Sequence, residues 1–126
     1  MPINYEQIRD ITINFALGGA QLSQADKDQL DLVVRYIYAD PEVIRVRIDG
    51  HSDALGSRRD NRQLSSERAQ AVTEYLLARG MPEALVQTNY HGQRYPLASN
   101  ATAEGRGKNR RVTIQLDKEL EIQPLF

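Results

Sequence analysis

The sequence predicts an α/β two-layer sandwich, a β-α-β-α-β-β chain whose four-stranded mixed sheet is covered on one face by two helices. Two observations carry this. Four short stretches alternate apolar and polar residues with period two, and two longer stretches between them repeat apolar residues at helical spacing. The alternation also says that one sheet face stays wet, because a sheet covered on both faces reads as continuous apolar runs.

The first strand is read from Ile11, Ile13 and Phe15, which alternate with Thr12 and Asn14. Ser23 with Asp26 three residues on has the form of a capping box, and Leu30, Val33, Val34 and Ile37 then give a helical stripe. Asp40-Pro41 ends that helix, since proline disfavours helix in the residue before it. The second strand places Ile44, Val46 and Ile48 inward and Arg45, Arg47 and Asp49 outward, and Gly50 closes it.

A loop is expected from Ser52 to Gln63, with Ser65 as the N-cap of a second helix whose stripe is Ala69, Val72 and Leu76, with Thr73 beside it. Arg79-Gly80 is a helix exit. Val86, Thr88 and Tyr90 form the third strand. A long polar connection follows from Gln93 to Asn109, of the kind that carries binding groups. The last strand points Val112, Ile114 and Leu116 inward and Arg111, Thr113 and Gln115 outward.

With 126 residues and 40% apolar content, the chain fills one core, so residues 1–126 are read as a single domain with a core of about 8–117 and a tail at 118–126. There is no internal repeat or low-complexity tract. The formal net charge of −1 leaves only local charge to drive recognition. Cysteine is absent, which excludes disulfides, thiolate zinc sites and cysteine nucleophiles. No signal-peptide pattern opens the chain and no apolar run is long enough to span a bilayer, so a soluble chain without membrane insertion is expected.

Strand parity aims Arg110 at the helix layer and Arg111 at solvent. Arg68 precedes Val72 and Leu76 on one stripe and faces the sheet at the expected helix N-terminus. If the last strand runs antiparallel to the second, the Asp53 loop, Arg68 and Arg110 converge at one end of the sheet. Such a place suits a zwitterion: helix N–H groups and arginine forks for a carboxylate, Asp53 for an ammonium, Asn61 as a neutral donor and acceptor. Spacing alone equally allows Asp53 to pair with Arg68 or cap its own loop, and Arg110 to be a fixed salt bridge.

His51, Asp53 and His91 are metal-ligand types, but two histidines without a Glu-x-x-His pattern are read as no metal site. Neither Gly-x-Ser-x-Gly nor Ser-x-x-Lys occurs, so no serine nucleophile, no cofactor and no enzyme is expected. Arg106, Lys108, Arg110 and Arg111 make a basic cluster without interleaved aromatics, read as a solvated loop rather than a nucleic-acid site.

Gly50-His51-Ser52-Asp53, Asn61, Leu64-Ser65-x-x-Arg68-Ala69 and Asn109-Arg110-Arg111-Val112, in this order, resemble the OmpA-like C-terminal domain over about Ile8 to Asp117. The resemblance implies a non-catalytic periplasmic domain that binds meso-diaminopimelate of the peptidoglycan stem peptide. It implies that Asp53 and Arg68 hold the ligand's charged head, supported by Asn61, Arg110, Ser52 and Leu64. Flagellar-motor or outer-membrane proteins are the partners it implies. Within the family, Asp49 to Asp53 with His91 to Pro96 look most like flagellar ring proteins. The stretch Ala16-Leu17-Gly18-Gly19 departs from the family, which commonly has polar side chains there; Ala54 replaces a usual polar residue, and Ser52 the commoner threonine. A protein-interaction module using the same surface is the alternative reading.

Overall fold

A computed structural model describes residues 3–119. The elements in chain order are α1 (Tyr5–Ile8), β1 (Asp10–Asn14), α2 (Gln24–Ala39), β2 (Val43–Gly50), α3 (Arg58–Ala78), β3 (Val86–Tyr90), α4 (Ala103–Asn109) and β4 (Arg111–Lys118), with a 3₁₀ turn at Glu83–Leu85. The expected tail beyond residue 119 lies outside the described residues. The sheet order is β1-β4-β2-β3. β4 is antiparallel to both neighbours, and β3 lies parallel to β2 after the α3 crossover.

The expected four strands and two long helices are present, and the core lies between the sheet and α2 and α3. Ile11, Ile13, Leu30, Val33, Val46, Ile48, Val72, Leu76, Val112 and Ile114 are each at most 2% exposed. Burying each such aliphatic side chain contributes about 1.5–3 kcal/mol. At α2, Ser23 and Asp26 form the reciprocal capping box, and Asp40 turns extended ahead of Pro41.

Three expectations need correction. Ile44 is 38% exposed and Val43 takes the inward position, because a bulge between Val43 and Arg45 breaks the alternation. α3 begins at Arg58, not after Ser65: the Ser57 hydroxyl accepts the Asp60 N–H at 3.0 Å and serves as N-cap. The polar connection before β4 contains a helix, α4, started by Thr102, whose hydroxyl accepts the Gly105 N–H.

Gly50 positions α3 on the sheet. A Cβ there would stand 2.1 Å from the Ser65 carbonyl oxygen, so helix backbone rests directly on the end of β2. Ser65 completes the join, donating to the Arg62 carbonyl at 2.8 Å and accepting the Gly92 N–H at 2.9 Å.

Candidate ligand-binding site

The antiparallel β2–β4 register pairs Gly50 with Val112, which puts the start of β4 beside the end of β2. The His51 N–H donates to the Arg111 carbonyl at 2.8 Å, and the Phe15 N–H to the Arg110 carbonyl at 2.9 Å. Three segments therefore meet at one end of the sheet: 15–19 after β1, 51–53 after β2, and Arg110 before β4. The expected convergence of Asp53, Arg68 and Arg110 is present in the fold.

Asp53 is 4% exposed. One carboxylate oxygen accepts the Leu55 N–H at 3.0 Å, and the other accepts from Arg110 Nη1 at 3.3 Å. A carboxylate has about four lone-pair positions, so Asp53 retains capacity for an ammonium. Arg110 also donates from Nε to the Phe15 carbonyl at 2.8 Å, and its Nη2 would lie 3.3 Å from a Cβ on Gly107. A side chain at position 107 would crowd that edge of the guanidinium.

Arg68 occupies a place that sequence reasoning did not anticipate. It lies in the third turn of α3, so the helix N-terminal amides do not surround it, and it is 0% exposed. Its guanidinium donates to the carbonyls of Gly19 (2.8 Å), His51 (3.2 Å) and Ala16 (3.3 Å) and lies 5.5 Å from the Phe15 ring centroid. The stretch that departs from the family pattern thus meets Arg68 with backbone rather than side chains. Burial lowers the Arg68 pKa to about 10 and Arg110 pushes the same way, against Asp53, so the group stays a cation at neutral pH. Asp53 pairs with Arg110, and Arg68 with carbonyls; the direct Asp53–Arg68 pair is not formed.

Asn61 is 4% exposed and donates to the Gln93 side-chain oxygen at 2.8 Å. Ser52 is buried, its hydroxyl donating to the Asp53 carbonyl at 2.8 Å and its N–H to the Gly92 carbonyl at 2.9 Å. Leu64 is half-buried on α3.

Two supports were missed. Asn100 accepts the Ala54 N–H at 3.2 Å and is itself held by Asn109 Nδ2 at 2.9 Å. Asn109, 0% exposed, also accepts the Leu97 and Ala98 amides at 2.7 and 2.9 Å. The Asn109-Arg110-Arg111 motif marked this place, but the motif does not say what its asparagine holds.

The basic cluster dissolves into internal contacts. Arg106 donates to the Asn100 carbonyl, Lys108 sits 3.8 Å from Glu104, and Arg110 pairs with Asp53. Arg111, expected in solvent, is 7% exposed and donates to the Tyr95 carbonyl at 3.1 Å. Its parity points away from the helices as expected, but the loop after β3 covers that face.

His51 and His91 stack at 5.0 Å between ring centroids, and His91 Nε2 meets Asp49 at 2.8 Å. Among the described residues no His, Cys, Asp and Glu group is placed to hold a metal ion. Among them also, no helix is long and apolar enough to cross a membrane.

Comparison with known proteins finds relatives of the chain. Peptidoglycan-binding protein ArfA of Mycobacterium tuberculosis is 45% identical over 102 residues, covering 81% of this chain and 31% of ArfA. Sodium-type flagellar protein MotY of Vibrio parahaemolyticus is 30% identical over 115 residues, 91% of this chain and 39% of MotY. The chain thus spans between three and four tenths of the length of these relatives. The crystal structure of the peptidoglycan-associated lipoprotein from Burkholderia pseudomallei superposes with a TM-score of 0.79 at 22% identity, over 84% of this chain and 89% of that one, and shares the fold. The domain is a non-enzymatic one. The OmpA family matches residues 14–110, and the chain belongs to the OmpA family.

Proposed function

We propose that this chain binds peptidoglycan non-covalently and anchors an envelope or flagellar-motor assembly to the cell wall from the periplasm. Where the full-length chain carries an anchor, the tether runs to the outer membrane. The ligand is the zwitterionic head of diaminopimelate in the stem peptide. Asp53 receives its ammonium, Arg110 offers the Nη2 edge of its guanidinium to the carboxylate, and Asn61 with Ser52 and Leu64 shapes the wall.

The observation that carries this reading is the Asp53–Arg110 pair at the rim, both side chains at most 19% exposed, with the Arg68 cation buried behind it. One carboxylate and two guanidiniums leave a local charge of about +1, which suits a head whose carboxylate is the deeper group. Arg68 acts by holding the Ala16–Gly19 backbone and by adding to this field. The name of ArfA supports a wall ligand, and that of MotY points to a flagellar assembly.

A second reading has its own observation. Asp53 already has Arg110 as a partner and Arg68 is closed over by three carbonyls, so each charge is balanced or held without any ligand. That suits a protein-interaction module that has lost its wall ligand.

Co-sedimentation with diaminopimelate-type sacculi separates the two. The wild type is expected to pellet, and folded Asp53→Ala and Arg110→Gln variants to stay soluble. A folded wild type left in the supernatant, or an Asp53→Ala variant that still pellets, rejects the wall-binding reading.

A further inference from the structure

Beside the Asp53 site lies a concavity of about 200 Å³, lined by Arg58, Arg62 and Arg94 together with Tyr90, His91 and Gln93. Three guanidiniums face it and no carboxylate lines it. Several arginines elsewhere have carboxylate partners, Arg45 and Arg47 at Asp117, Arg79 at Asp31 and Arg110 at Asp53, and the buried Arg68 and Arg111 are held by carbonyls. Among the described residues Arg58, Arg62 and Arg94 form no ion pair, although the whole chain carries a formal charge of −1.

Two of the three cations are parked on aromatic rings. Arg62 lies 5.5 Å from the centroid of Tyr90, and Arg94 lies 5.5 Å from that of Tyr95. Stacking holds a guanidinium by its face and leaves its N–H edges directed outward. Arg58 and Arg62 stand one helical turn apart on α3, where like charges repel unless an anion comes between them.

Gln93 links the concavity to the first site. That side chain lines it and accepts the Asn61 amide at 2.8 Å. Its volume is below the range of about 300–1,000 Å³ in which whole small molecules bind. It fits one oxyanion substituent of a ligand seated next door.

We propose that this cavity is an oxyanion subsite that takes a free carboxylate on the same stem peptide whose zwitterionic head enters the Asp53 site. This rests on the wall-binding reading given above. The consequence is selectivity: a peptide whose carboxylate beside diaminopimelate is free binds more tightly than the same peptide with that carboxylate amidated. Phosphate shares the chemistry and is the competing source.

The test is calorimetric titration of soluble, diaminopimelate-containing stem peptide in its free-acid and amidated forms. The proteins are the wild type, Asp53→Asn, and a triple Arg58→Gln, Arg62→Gln, Arg94→Gln variant. All three arginines are exposed, so the triple variant keeps the fold. The wild type is expected to prefer the free acid by at least about tenfold, and the triple variant to bind both forms alike, at the affinity of the amidated one.

Equal wild-type affinity for the two forms, with Asp53→Asn abolishing both, overturns the subsite and leaves the Asp53 reading standing. Absence of wild-type binding to either form overturns both. Saturable binding of inorganic phosphate that the triple variant loses, without discrimination between the peptides, overturns the carboxylate assignment in favour of phosphate.

Discussion

Replacing Arg68 by methionine tests whether this side chain is first of all a structural clamp. Methionine preserves most of the apolar stem and removes the cation. Three carbonyls, of Ala16, Gly19 and His51, then lose donors that now stand 2.8–3.3 Å away. A charged hydrogen bond contributes about 1.5–3 kcal/mol, so three together oppose the substitution by roughly 4–9 kcal/mol. Against this, removing a buried cation relieves a desolvation cost of several kcal/mol, and Ala16, Leu17 and Gly18 are exposed enough for water to reach the freed carbonyls. The net expectation is a loss of about 3 kcal/mol, or a fall in Tm of about 10–15 °C for a chain of this size. Arg68→Lys, with a point charge in place of a planar fork, is expected to recover about half. Equilibrium urea denaturation measures both, with an unchanged slope identifying a change in stability alone. A methionine variant within about 1 kcal/mol of wild type that nevertheless fails to bind sacculi would refute the clamp and make Arg68 a dedicated ligand group.

Other perturbations probe the surroundings of the site. Gly50→Ala forces a methyl to 2.1 Å from the Ser65 carbonyl and 2.9 Å from the Ala69 Cβ, so it is expected to cost about 3 kcal/mol or more in the same denaturation assay; a neutral result means that α3 does not rest on that contact. Asn109→Ala removes an acceptor for two amides and a donor to the Ala98 carbonyl and to Asn100, with an expected cost of about 2–4 kcal/mol. Hydrogen exchange at the Ala54 amide should accelerate with it, and an unchanged Ala54 rate disproves the relay through Asn100. His51 is 6% exposed, and burial, then Arg111 and His91, lower its pKa to about 4. Its folded pKa lies below its unfolded value of about 6.5, so protons favour the unfolded chain: the contribution is complete above pH 6.5 and is lost as pH falls toward 4. The loss amounts to about 3 kcal/mol across that window. His51→Phe should flatten that part of the pH–stability curve, and a mutant curve parallel to wild type rejects the assignment.

The architecture was legible because strand alternation and the Ser23–Asp26 box are local signals that the fold obeys. Where the reading failed, the local pattern was interrupted or had no apolar stripe to announce it. Ile44 has inward parity only on an unbroken pleat, and the bulge at Val43/Arg45 resets it. Ser57-x-x-Asp60 carries the same capping signal as Ser23-x-x-Asp26. It is hard to see in the sequence because the buried residues of the first two turns of α3 are Asn61 and Ser65, so no apolar stripe announces the helix there. α4 hides behind Gly105 and Gly107, residues that argue against helix. Gly105 has no room for a Cβ, which would lie 1.8 Å from the Ser99 carbonyl.

The candidate site divides along a similar line. Sequence motifs name side chains, whereas most of this site's partners are backbone. Asp53 and Arg110 are charged groups within reach of each other and of the rim; strand parity located Arg110, and the loop after Gly50 located Asp53. Arg68 carries the same charge as Arg110, yet its acceptors are three carbonyls that leave no trace in residue identity. A motif arginine can therefore serve as ligand contact or as loop clamp with the same spacing, and the two roles differ in what substitution does to the unliganded protein. Loss of binding in an Arg68 variant carries information about the ligand only after the stability of that variant is known. Asp53→Asn and Arg110→Gln are the cleaner probes. The amide oxygen introduced by Asp53→Asn still accepts the Leu55 N–H, and Arg110→Gln releases one carbonyl, that of Phe15, where an Arg68 variant releases three.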